Sequence, residues 1–278
     1  LMSANIRPSG VYDTTYAQDI SLNRTRGDKL ISYGALVALL ALPLLTLDGP
    51  FGLNILPQSL IGTFIRIAIL VIAVQGLNIL TGYTGLVSLG HAAFLAVGAY
   101  SSAFMVRSLG FTFWTALPAA ALFTGVVGLI FGLPSLRVKG FYLSMATLAA
   151  QFIIPWFLRY PLAHISNGSN PLEVPIPTLG GISFGPDGAM YYIVIPMAIG
   201  AALFARNISR TRTGRAFISI RDNDLAAELL GINVFAYKLQ AFFLSAVFAG
   251  VAGTLMAFHI NNISLDFFAP SVSIEMLA

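Results

Sequence analysis

The chain has 278 residues; 57% of them are hydrophobic and only 9% are charged, whereas an ordinary soluble domain carries about 25% charged residues. So few charges cannot cover the surface of a soluble protein, which argues against a soluble enzyme, a disordered chain and a fibrous protein. The composition predicts an all-α polytopic integral membrane protein, a helix bundle embedded in the bilayer. With no cysteine and three widely separated histidines, the chain offers neither thiol chemistry nor the ligand spacing of a metal site. Its net charge of +4 is too small to indicate nucleic acid binding.

Seven stretches are long and apolar enough to predict membrane-spanning helices, each of which needs roughly 20 apolar residues. They are residues 30–47, 59–80, 85–106, 112–133, 141–158, 190–205 and 235–258. Residues 1–29 hold seven charges and predict a flexible cytoplasmic arm in front of a single transmembrane domain, residues 30–278. Small residues at helical spacing in the fourth and seventh stretches predict close helix contacts at Gly128, Gly132, Ala246, Gly250 and Gly253.

The basic residues favour one orientation of the chain in the membrane. With the N-terminus in the cytoplasm, twelve of the 15 Lys and Arg residues fall in inside segments and two in outside segments, while Arg66 lies within a span. Because basic loops stay on the cytoplasmic side, this asymmetry places residues 206–234, the loop between the last two spans, in the cytoplasm. The longest outside loop, residues 160–189, is either a docking surface for an external binding protein or an ordinary connection.

The placement of the acidic residues bears on the energy source of any transport. All eleven carboxylates lie in predicted loops or tails, and none lies in the middle of a span. Ion-driven pumps usually carry a buried acid, so this placement argues against an ion-coupled transporter, although some transporters coordinate sodium with backbone carbonyls alone. The sequence also lacks the Gly-x-x-x-x-Gly-Lys-Ser/Thr loop that binds nucleotide phosphates. If ATP drives this protein, another chain must hydrolyse it, and no cofactor is predicted here.

The loop at residues 206–234 carries the strongest local signals. Residues 225–230 are good helix formers, and N-cap residue types precede them: Asp222, Asn223 and Asp224. Gly231 can adopt the left-handed conformation that ends a helix, and Asn233 can cap the following span. Lys238 in that span can extend back to the membrane interface. The pattern predicts a short rigid helix displayed on the cytoplasmic face, suited to a groove on a partner. The alternative interpretation is that the basic residues of this loop reflect only the general enrichment of Lys and Arg in cytoplasmic loops.

Three motifs, taken together, resemble those of a known family. The loop contains, in order, Gly214-Arg215-Ala216, Arg221-Asp222-Asn223, Ala226-Ala227-Glu228 and Gly231-Ile232-Asn233, which resembles the coupling loop of ABC-importer permeases. The other two motifs are GLNILTGYTGLVSLGHAAF at residues 76–94 and LRVKGFYLSMATL at residues 136–148. This combination is similar to the branched-chain amino acid (Liv-type) permeases, and to the LivM half of the permease pair more than to the LivH half.

The resemblance implies a transmembrane permease subunit of an ABC importer that moves Leu, Ile or Val across the bacterial inner membrane and performs no covalent chemistry. The implied partners are a homologous LivH-like permease, two ATPase subunits that hold ATP and Mg, a periplasmic substrate-binding protein and the lipid bilayer. It assigns coupling to the ATPases to Gly214, Arg215, Arg221, Asp222, Asn223, Asp224, Leu225, Ala226, Ala227, Glu228 and Gly231. Family members continue with further membrane helices, so we expect the chain to be truncated before them. Urea or short amides as the substrate, and a passive channel or secondary transporter as the mechanism, remain alternatives.

Residues 75–91 are unusually polar for a membrane segment and contain Thr-Gly-Tyr-Thr-Gly, which is poor helix material. Transporters place substrate near such interruptions, so the segment either lines the translocation path or forms a tight cytoplasmic turn. His91 is either a path residue or a neutral histidine bonded to a carbonyl, and residues 144–151 direct one polar stripe toward the bundle or the path. The candidate path residues are Gln75, Asn78, Tyr83, Ser88, His91, Ser144, Thr147 and Gln151.

Overall fold

A computed structural model describes residues 58–135, 141–168, 170–179, 182–183 and 188–277, together with three earlier helical positions, Leu30, Gly34 and Leu39. The chain divides into two units, Leu1–Ile55 and Leu56–Ala278. The predicted arm at residues 1–29 lies outside the described residues, as does the predicted span at 30–47 apart from the three helical positions. The elements described next all belong to the second unit.

Long helices alternate with short connecting elements in this unit. Helix α1 (Gln58–Asn78) continues into a π-helical turn (Ile79–Tyr83) and is followed by α2 (His91–Leu109), α3 (Phe113–Ser135) and α4 (Phe141–Arg159). Next come α5 (Ala163–Ser166), the two-residue strands β1 (Leu172–Glu173), β2 (Thr178–Leu179) and β3 (Ile182–Ser183), and then α6 (Gly188–Arg210). They are followed by α7 (Arg212–Asp222), α8 (Asp224–Leu229), α9 (Val234–Ile260), β4 (Asn262–Ile263), a 3-10 turn (Leu265–Phe268) and α10 (Pro270–Leu277).

The helices confirm an all-α polytopic membrane bundle, but not the number of spans predicted. Within the described residues, five helices are long and apolar enough to cross a membrane: Ser59–Tyr83, His91–Leu109, Phe113–Pro134, Met190–Arg210 and Val234–Ile260. They correspond to five of the seven predicted spans. The predicted span at 141–158 does form a helix, α4, but this helix is not among the five. The count of seven spans is therefore not confirmed.

Helix α9 lies at the centre of the bundle, where it packs against α1, α2 and α3. On α9, Gly250 lies against Gly98 of α2, and Gly253 leaves no room for a Cβ beside the α2 backbone. On α3, Gly128 lies against Ala246 of α9 with equally little space. Small side chains allow helix backbones to approach this closely. Such close packing helps to hold membrane helices together, because lipid supplies no hydrophobic force between them. The predicted close contacts of these small residues are confirmed.

The two ends of the bundle carry different structures. At one end, α7 and α8 connect α6 to α9; we call these two helices the elbow and this end of the bundle the elbow end. At the opposite, far end, β1 pairs antiparallel with β4, with Leu172 opposite Ile263. This pairing joins the connection after α4 to the connection after α9 and places both beside the 3-10 turn.

Candidate functional site

Helix α8 forms where the local signals predict it, within one residue of the expected limits. Asn223 is its N-cap: the side-chain Oδ1 accepts hydrogen bonds from the backbone N–H groups of Leu225 (3.0 Å) and Ala226 (3.1 Å). Gly231, just after the helix, has a φ of 82°, a conformation that favours glycine. Asn233 in turn caps α9 by accepting from the backbone N–H of Ala236 at 3.1 Å. Caps at both ends fix α8 as a short rigid element.

One face of α8 anchors the helix and the others are exposed. Ala227 is buried at 1% exposure, whereas Leu225, Leu229 and Leu230 are 66%, 89% and 79% exposed. These leucines lie in an elbow rich in charged residues, outside the five helices that are long and apolar enough to cross a membrane. A cluster of exposed leucines outside the membrane spans indicates an interaction surface for another protein.

An ion pair ties α8 to the central helix of the bundle. The Nζ of Lys238, in the first turns of α9, lies 2.5 Å from Oδ2 of Asp224 at the start of α8. The sequence predicted instead that Lys238 extends to the membrane interface. The acid at the first position of α8 provides a nearer partner, and both side chains are half-buried, at 13% and 32% exposure. The pair therefore connects α8 directly to α9.

The elbow also contains a helix that the sequence analysis missed. Helix α7 is capped by Thr211, whose side chain accepts from the backbone N–H of Gly214 at 3.2 Å. Its apolar face buries Phe217 and Ile220, and the Phe217 ring packs edge-on against Tyr237 of α9 with centroids 6.2 Å apart. The signal was present in the spacing of these apolar residues after a threonine, but the surrounding basic residues suggested only a charged loop.

The elbow touches the interrupted end of α1 directly. The guanidinium of Arg221, at the end of α7, donates a hydrogen bond to the carbonyl oxygen of Gly82 in the π-helical turn at 2.7 Å. Gly85 follows with a φ of 70°, and a Cβ there would lie 3.2 Å from Cγ of Arg221. A cavity of about 590 Å³ lies between the two parts, with Thr84 and Leu86 on one side and the elbow on the other. Arg221 thus joins the elbow to the point where α1 loses its α-helical geometry.

Removing this contact is expected to loosen the π-helical turn. In Arg221→Gln the charge-assisted hydrogen bond to Gly82 is lost, and such bonds contribute about 1.5 kcal/mol or more. We expect amide hydrogen–deuterium exchange in residues 79–90 to accelerate about tenfold, because local opening governs exchange. The exposed Arg212 of the same helix provides the control, since Arg212→Gln removes an equal charge. Equal exchange rates in the two variants would contradict the role given to Arg221.

After the π-helical turn, the chain crosses the bundle without helical structure as far as residue 90. The sequence predicted a helix from residue 85, but α2 begins only at His91. The reason is that side chains of α4 take the backbone hydrogen bonds: Thr147 Oγ1 accepts from the Leu89 N–H at 3.0 Å, and Ser144 donates to the Val87 carbonyl at 3.2 Å. The hydroxyl of Ser88 is buried and has no hydrogen-bond partner among the described residues.

Helix α2 therefore begins inside the bundle, beside the middle of α4. Its first turn is capped by distant side chains: Ser273 accepts from the Ala92 N–H and Gln151 from the Ala93 N–H, both at 2.8 Å. The amide of Gln151 also donates to the Phe268 carbonyl at 2.8 Å. His91 Nε2 lies 2.9 Å from the carbonyl oxygen of Ala73 on α1, the carbonyl contact expected of a structural histidine.

The candidate path residues thus separate into two groups. The structure brings five of them together around residues 84–93, namely Ser88, His91, Ser144, Thr147 and Gln151, and all five are buried. The other three, Gln75, Asn78 and Tyr83, are half-buried near the elbow end of α1, where the Tyr83 hydroxyl donates to the Ala205 carbonyl at 3.4 Å. The polar stripe of α4 faces the bundle, as predicted. Both interpretations of the segment, a path lining and a packed turn, are compatible with these contacts.

A multi-pass helix bundle with an interrupted inner segment and a capped helix at one end has the architecture of a membrane permease. The chain belongs to the family described as branched-chain amino acid transport system / permease component, whose model matches residues 59–278. Its members are permease components of transport systems, which are not themselves catalytic. The resemblance found in the three sequence motifs is confirmed.

Individual relatives agree with this family. The chain is 34% identical over 227 residues to the high-affinity branched-chain amino acid transport system permease protein LivM of Salmonella typhimurium, and 35% identical to that of Escherichia coli. Each match covers 73% of this chain and 53% of the relative, so the chain spans about half the length of these proteins. It is 30% identical to the nucleoside ABC transporter permease protein NupC of Lactococcus lactis, over 70% of this chain and 66% of that protein. No solved structure matches the chain.

Proposed function

We propose that this chain is the membrane-spanning subunit of an ATP-driven importer for branched-chain amino acids, and that α8 receives the motion of a partner ATPase. The observation that carries the proposal is the combination of three exposed leucines, two on α8 and one at its C-cap, with rigid attachment of that helix to the bundle. The exposed leucines provide the surface that binds the partner. The caps and the ion pair keep the helix from deforming when the partner moves.

The proposed orientation places the elbow end in the cytoplasm of a bacterium and the chain in its inner membrane. With the N-terminus in the cytoplasm, the alternation of the predicted spans assigns twelve of the 15 basic residues to cytoplasmic segments and two to external segments. This asymmetry is the usual signature of the cytoplasmic face. The far end, with its β1–β4 pairing, then faces the external binding protein.

The proposed partners follow from what this chain lacks and what it displays. ATP and Mg are held by two ATPase subunits, because the sequence contains no phosphate-binding loop. A homologous LivH-like permease completes the membrane part, and a periplasmic substrate-binding protein delivers the substrate. The ATPase-coupling surface comprises the elbow residues inferred from the family motifs, from Gly214 to Gly231.

The contacts of the elbow supply a route for mechanical coupling. ATP binding moves the ATPases and with them α8, and the Asp224–Lys238 pair passes the displacement to α9. Arg221 passes it to the π-helical turn through its bond to Gly82. From there residues 84–90 lead to the start of α2, inside the bundle, so the membrane helices rock between inward-open and outward-open states. The buried polar residues around this start then line the path in one of the two states.

Branched-chain amino acids are the substrate that the comparisons favour. The two LivM relatives match the chain at higher identity than the nucleoside permease of L. lactis. Nucleosides are therefore the second candidate that a comparison supports, while urea and short amides rest on the wider family alone. A passive channel would require neither the exposed leucines nor the capped geometry of α8.

Affinity purification of the full-length protein from its native membrane, in mild detergent, tests the proposed partners. We expect mass spectrometry to identify a second permease and ATPase subunits with the wild type and not with Glu228→Arg, which reverses an exposed charge on α8. Glu173→Arg makes the same change at the exposed far end and should retain the ATPases. Recovery of the chain alone from the wild type would overturn the importer proposal.

A further inference from the structure

A small cavity lies toward the far end of the bundle, between α1 and the last turns of α9. Its volume is about 170 Å³, which is below the roughly 300–1,000 Å³ of typical small-molecule sites. Apolar side chains form most of its lining: Ile69 and Leu70 of α1, Met256 and Ile260 of α9, and Phe267 of the 3-10 turn. A narrow apolar cavity of this size fits part of a flexible chain rather than a whole soluble ligand.

Arg66 of α1 also lines this cavity and gives it a positive charge. Its side chain is exposed, on the same stripe of α1 as Ile67 and Leu70, which are 50% and 40% exposed. That stripe is the outer surface of a helix that is long and apolar enough to cross a membrane, from Ser59 to Tyr83. At 1.5 Å per residue, Arg66 lies about 10 Å inside this span. A charged side chain at such a depth is costly and usually pairs with a partner.

Within the part of the chain that the structure describes, no acidic side chain pairs with Arg66. Both ion pairs that these residues form involve other basic side chains. None of the residues that line the cavity is acidic. Asp266, which precedes Phe267 in the 3-10 turn, is already paired with Arg159 at 3.8 Å. An anion from outside the described chain is therefore the partner that the Arg66 guanidinium requires.

The charge and the apolar walls of the cavity follow the order of the parts of a membrane lipid. Helix α1 runs from the far end toward the elbow end, so Arg66 lies about one turn nearer the membrane surface than Ile69 and Leu70. Helix α9 runs in the opposite direction, so Met256 lies about one turn deeper than Ile260. The cavity therefore presents a positive group toward the membrane surface and apolar walls below it, as an anionic headgroup and its acyl chain require.

We propose that this cavity binds an anionic phospholipid of the far-end leaflet. The lipid phosphate accepts charge-assisted hydrogen bonds from the Arg66 guanidinium, whose planar fork matches phosphate geometry, and one acyl chain lies along Leu70 and Met256. An acidic side chain of a partner protein would neutralise Arg66 but would leave the apolar part of the cavity unfilled. Basic pockets between membrane helices are suited to anionic lipid headgroups. The inference goes beyond the proposed function, because lipid binding does not depend on which solute is imported.

Native mass spectrometry of the purified full-length protein, titrated with phosphatidylglycerol in mild detergent, tests the site. Loss of a hydrogen bond between charged groups costs a factor of about 10 or more in affinity, so Arg66→Gln is expected to raise the dissociation constant of the tightest-bound lipid at least about tenfold. Arg66→Lys keeps the charge and should retain part of the binding. Arg107→Gln removes an equally exposed charge in the last turn of α2, outside the cavity, and should bind lipid as the wild type does.

Two further ligands test the recognition of the headgroup and of the acyl chain separately. Phosphatidylcholine with the same acyl chains carries a compensating positive charge, so we expect it to bind more weakly than phosphatidylglycerol. Inorganic phosphate has no acyl chain and should not displace the bound lipid; displacement would show a site for a soluble anion and would overturn the proposal. Arg66→Gln should fold normally, because a neutral side chain costs less in lipid than a charged one, and a size-exclusion profile checks this.

The outcomes also distinguish a lipid from a protein in this position. Weaker phosphatidylglycerol binding in Arg66→Gln, with Arg107→Gln unchanged, would establish the lipid site. Equal lipid binding by the wild type and both variants would overturn it. If Arg66→Gln instead loses a co-purifying membrane protein while its lipid binding is unchanged, the partner of Arg66 is an acidic group of that protein and the proposal is wrong. None of these results depends on whether the protein imports an amino acid or a nucleoside.

Discussion

Replacing Gly253 with leucine is expected to disrupt the bundle more than any other single change discussed. A Cβ at this position collides with the carbonyl oxygen of Leu95, which belongs to the α2 backbone and cannot rotate away. Helices α2 and α9 would have to separate at their closest approach. Overpacking of this kind costs about 3 kcal/mol. Because each kcal/mol shifts the midpoint of a domain of this size by a few degrees, we expect the thermal unfolding temperature in detergent to fall by about 10 °C.

Gly200 provides the control for this experiment. It also lies within a long helix, α6, but a Cβ there would meet no other atom within 4 Å. Gly200→Leu should therefore unfold within about 2 °C of the wild type, since replacing a mid-helix glycine with a good helix former costs nothing in packing. An equal loss of stability in both variants would show that the α2–α9 contact is not the close approach described above.

Replacing Leu229 with aspartate is expected to weaken ATPase binding strongly without harming the bundle. The side chain is 89% exposed, so its removal leaves no cavity inside the protein. If the Leu229 side chain occupies a groove on an ATPase, the aspartate carboxylate loses its apolar contacts there and is buried without a partner. Side chains at the centre of an interface contribute about 2 kcal/mol or more to binding. We expect the dissociation constant of the ATPase to rise at least about thirtyfold, measured by titration of the purified ATPase onto the permease pair.

A conservative variant and a stability measurement accompany this prediction. Leu229→Met keeps an apolar side chain of similar volume and should bind within a factor of about three of the wild type. The unfolding temperature of Leu229→Asp should match that of the wild type. Normal ATPase binding by Leu229→Asp would show that α8 is not the docking element for the ATPase, and the exposed leucines would be unexplained.

The features predictable from the sequence were those encoded by neighbouring residues. The cap, helix and glycine stop of α8 lie within ten positions of one another, and the structure reproduces their order. The small residues of α9 predicted its close contacts because helical spacing alone places Gly250 and Gly253 toward the bundle. Family motifs identified the class of protein for the same reason, as each is a continuous segment.

The features that could not be predicted depend on residues far apart in the chain. The late start of α2 requires Thr147 and Ser144 to take the hydrogen bonds of residues 87–89, some 57 positions earlier. Its cap by Ser273 joins residues 181 positions apart. No local pattern signals such partners, so a helix from residue 85 was the natural prediction.

Helix α7 and the number of spans show a different limit, that of composition. Four arginines in residues 210–221 suggested a charged loop and outweighed the apolar spacing that forms α7. Helix α4 forms at the predicted span of residues 141–158 but is not among the five helices that qualify as membrane spans. An average over residues does not show which face of a helix is covered by protein.

Uptake into sealed vesicles tests the central claim, that this chain is a permease driven through α8, most directly. The full-length protein, its permease partner and the ATPases are reconstituted in proteoliposomes, and labelled leucine uptake and ATP hydrolysis are measured together with the binding protein present. The account predicts uptake that requires ATP in the wild type and is lost in Leu229→Asp. Leucine flux that proceeds equally without ATP, or that survives unchanged in Leu229→Asp, would contradict it and identify the bundle as a passive channel.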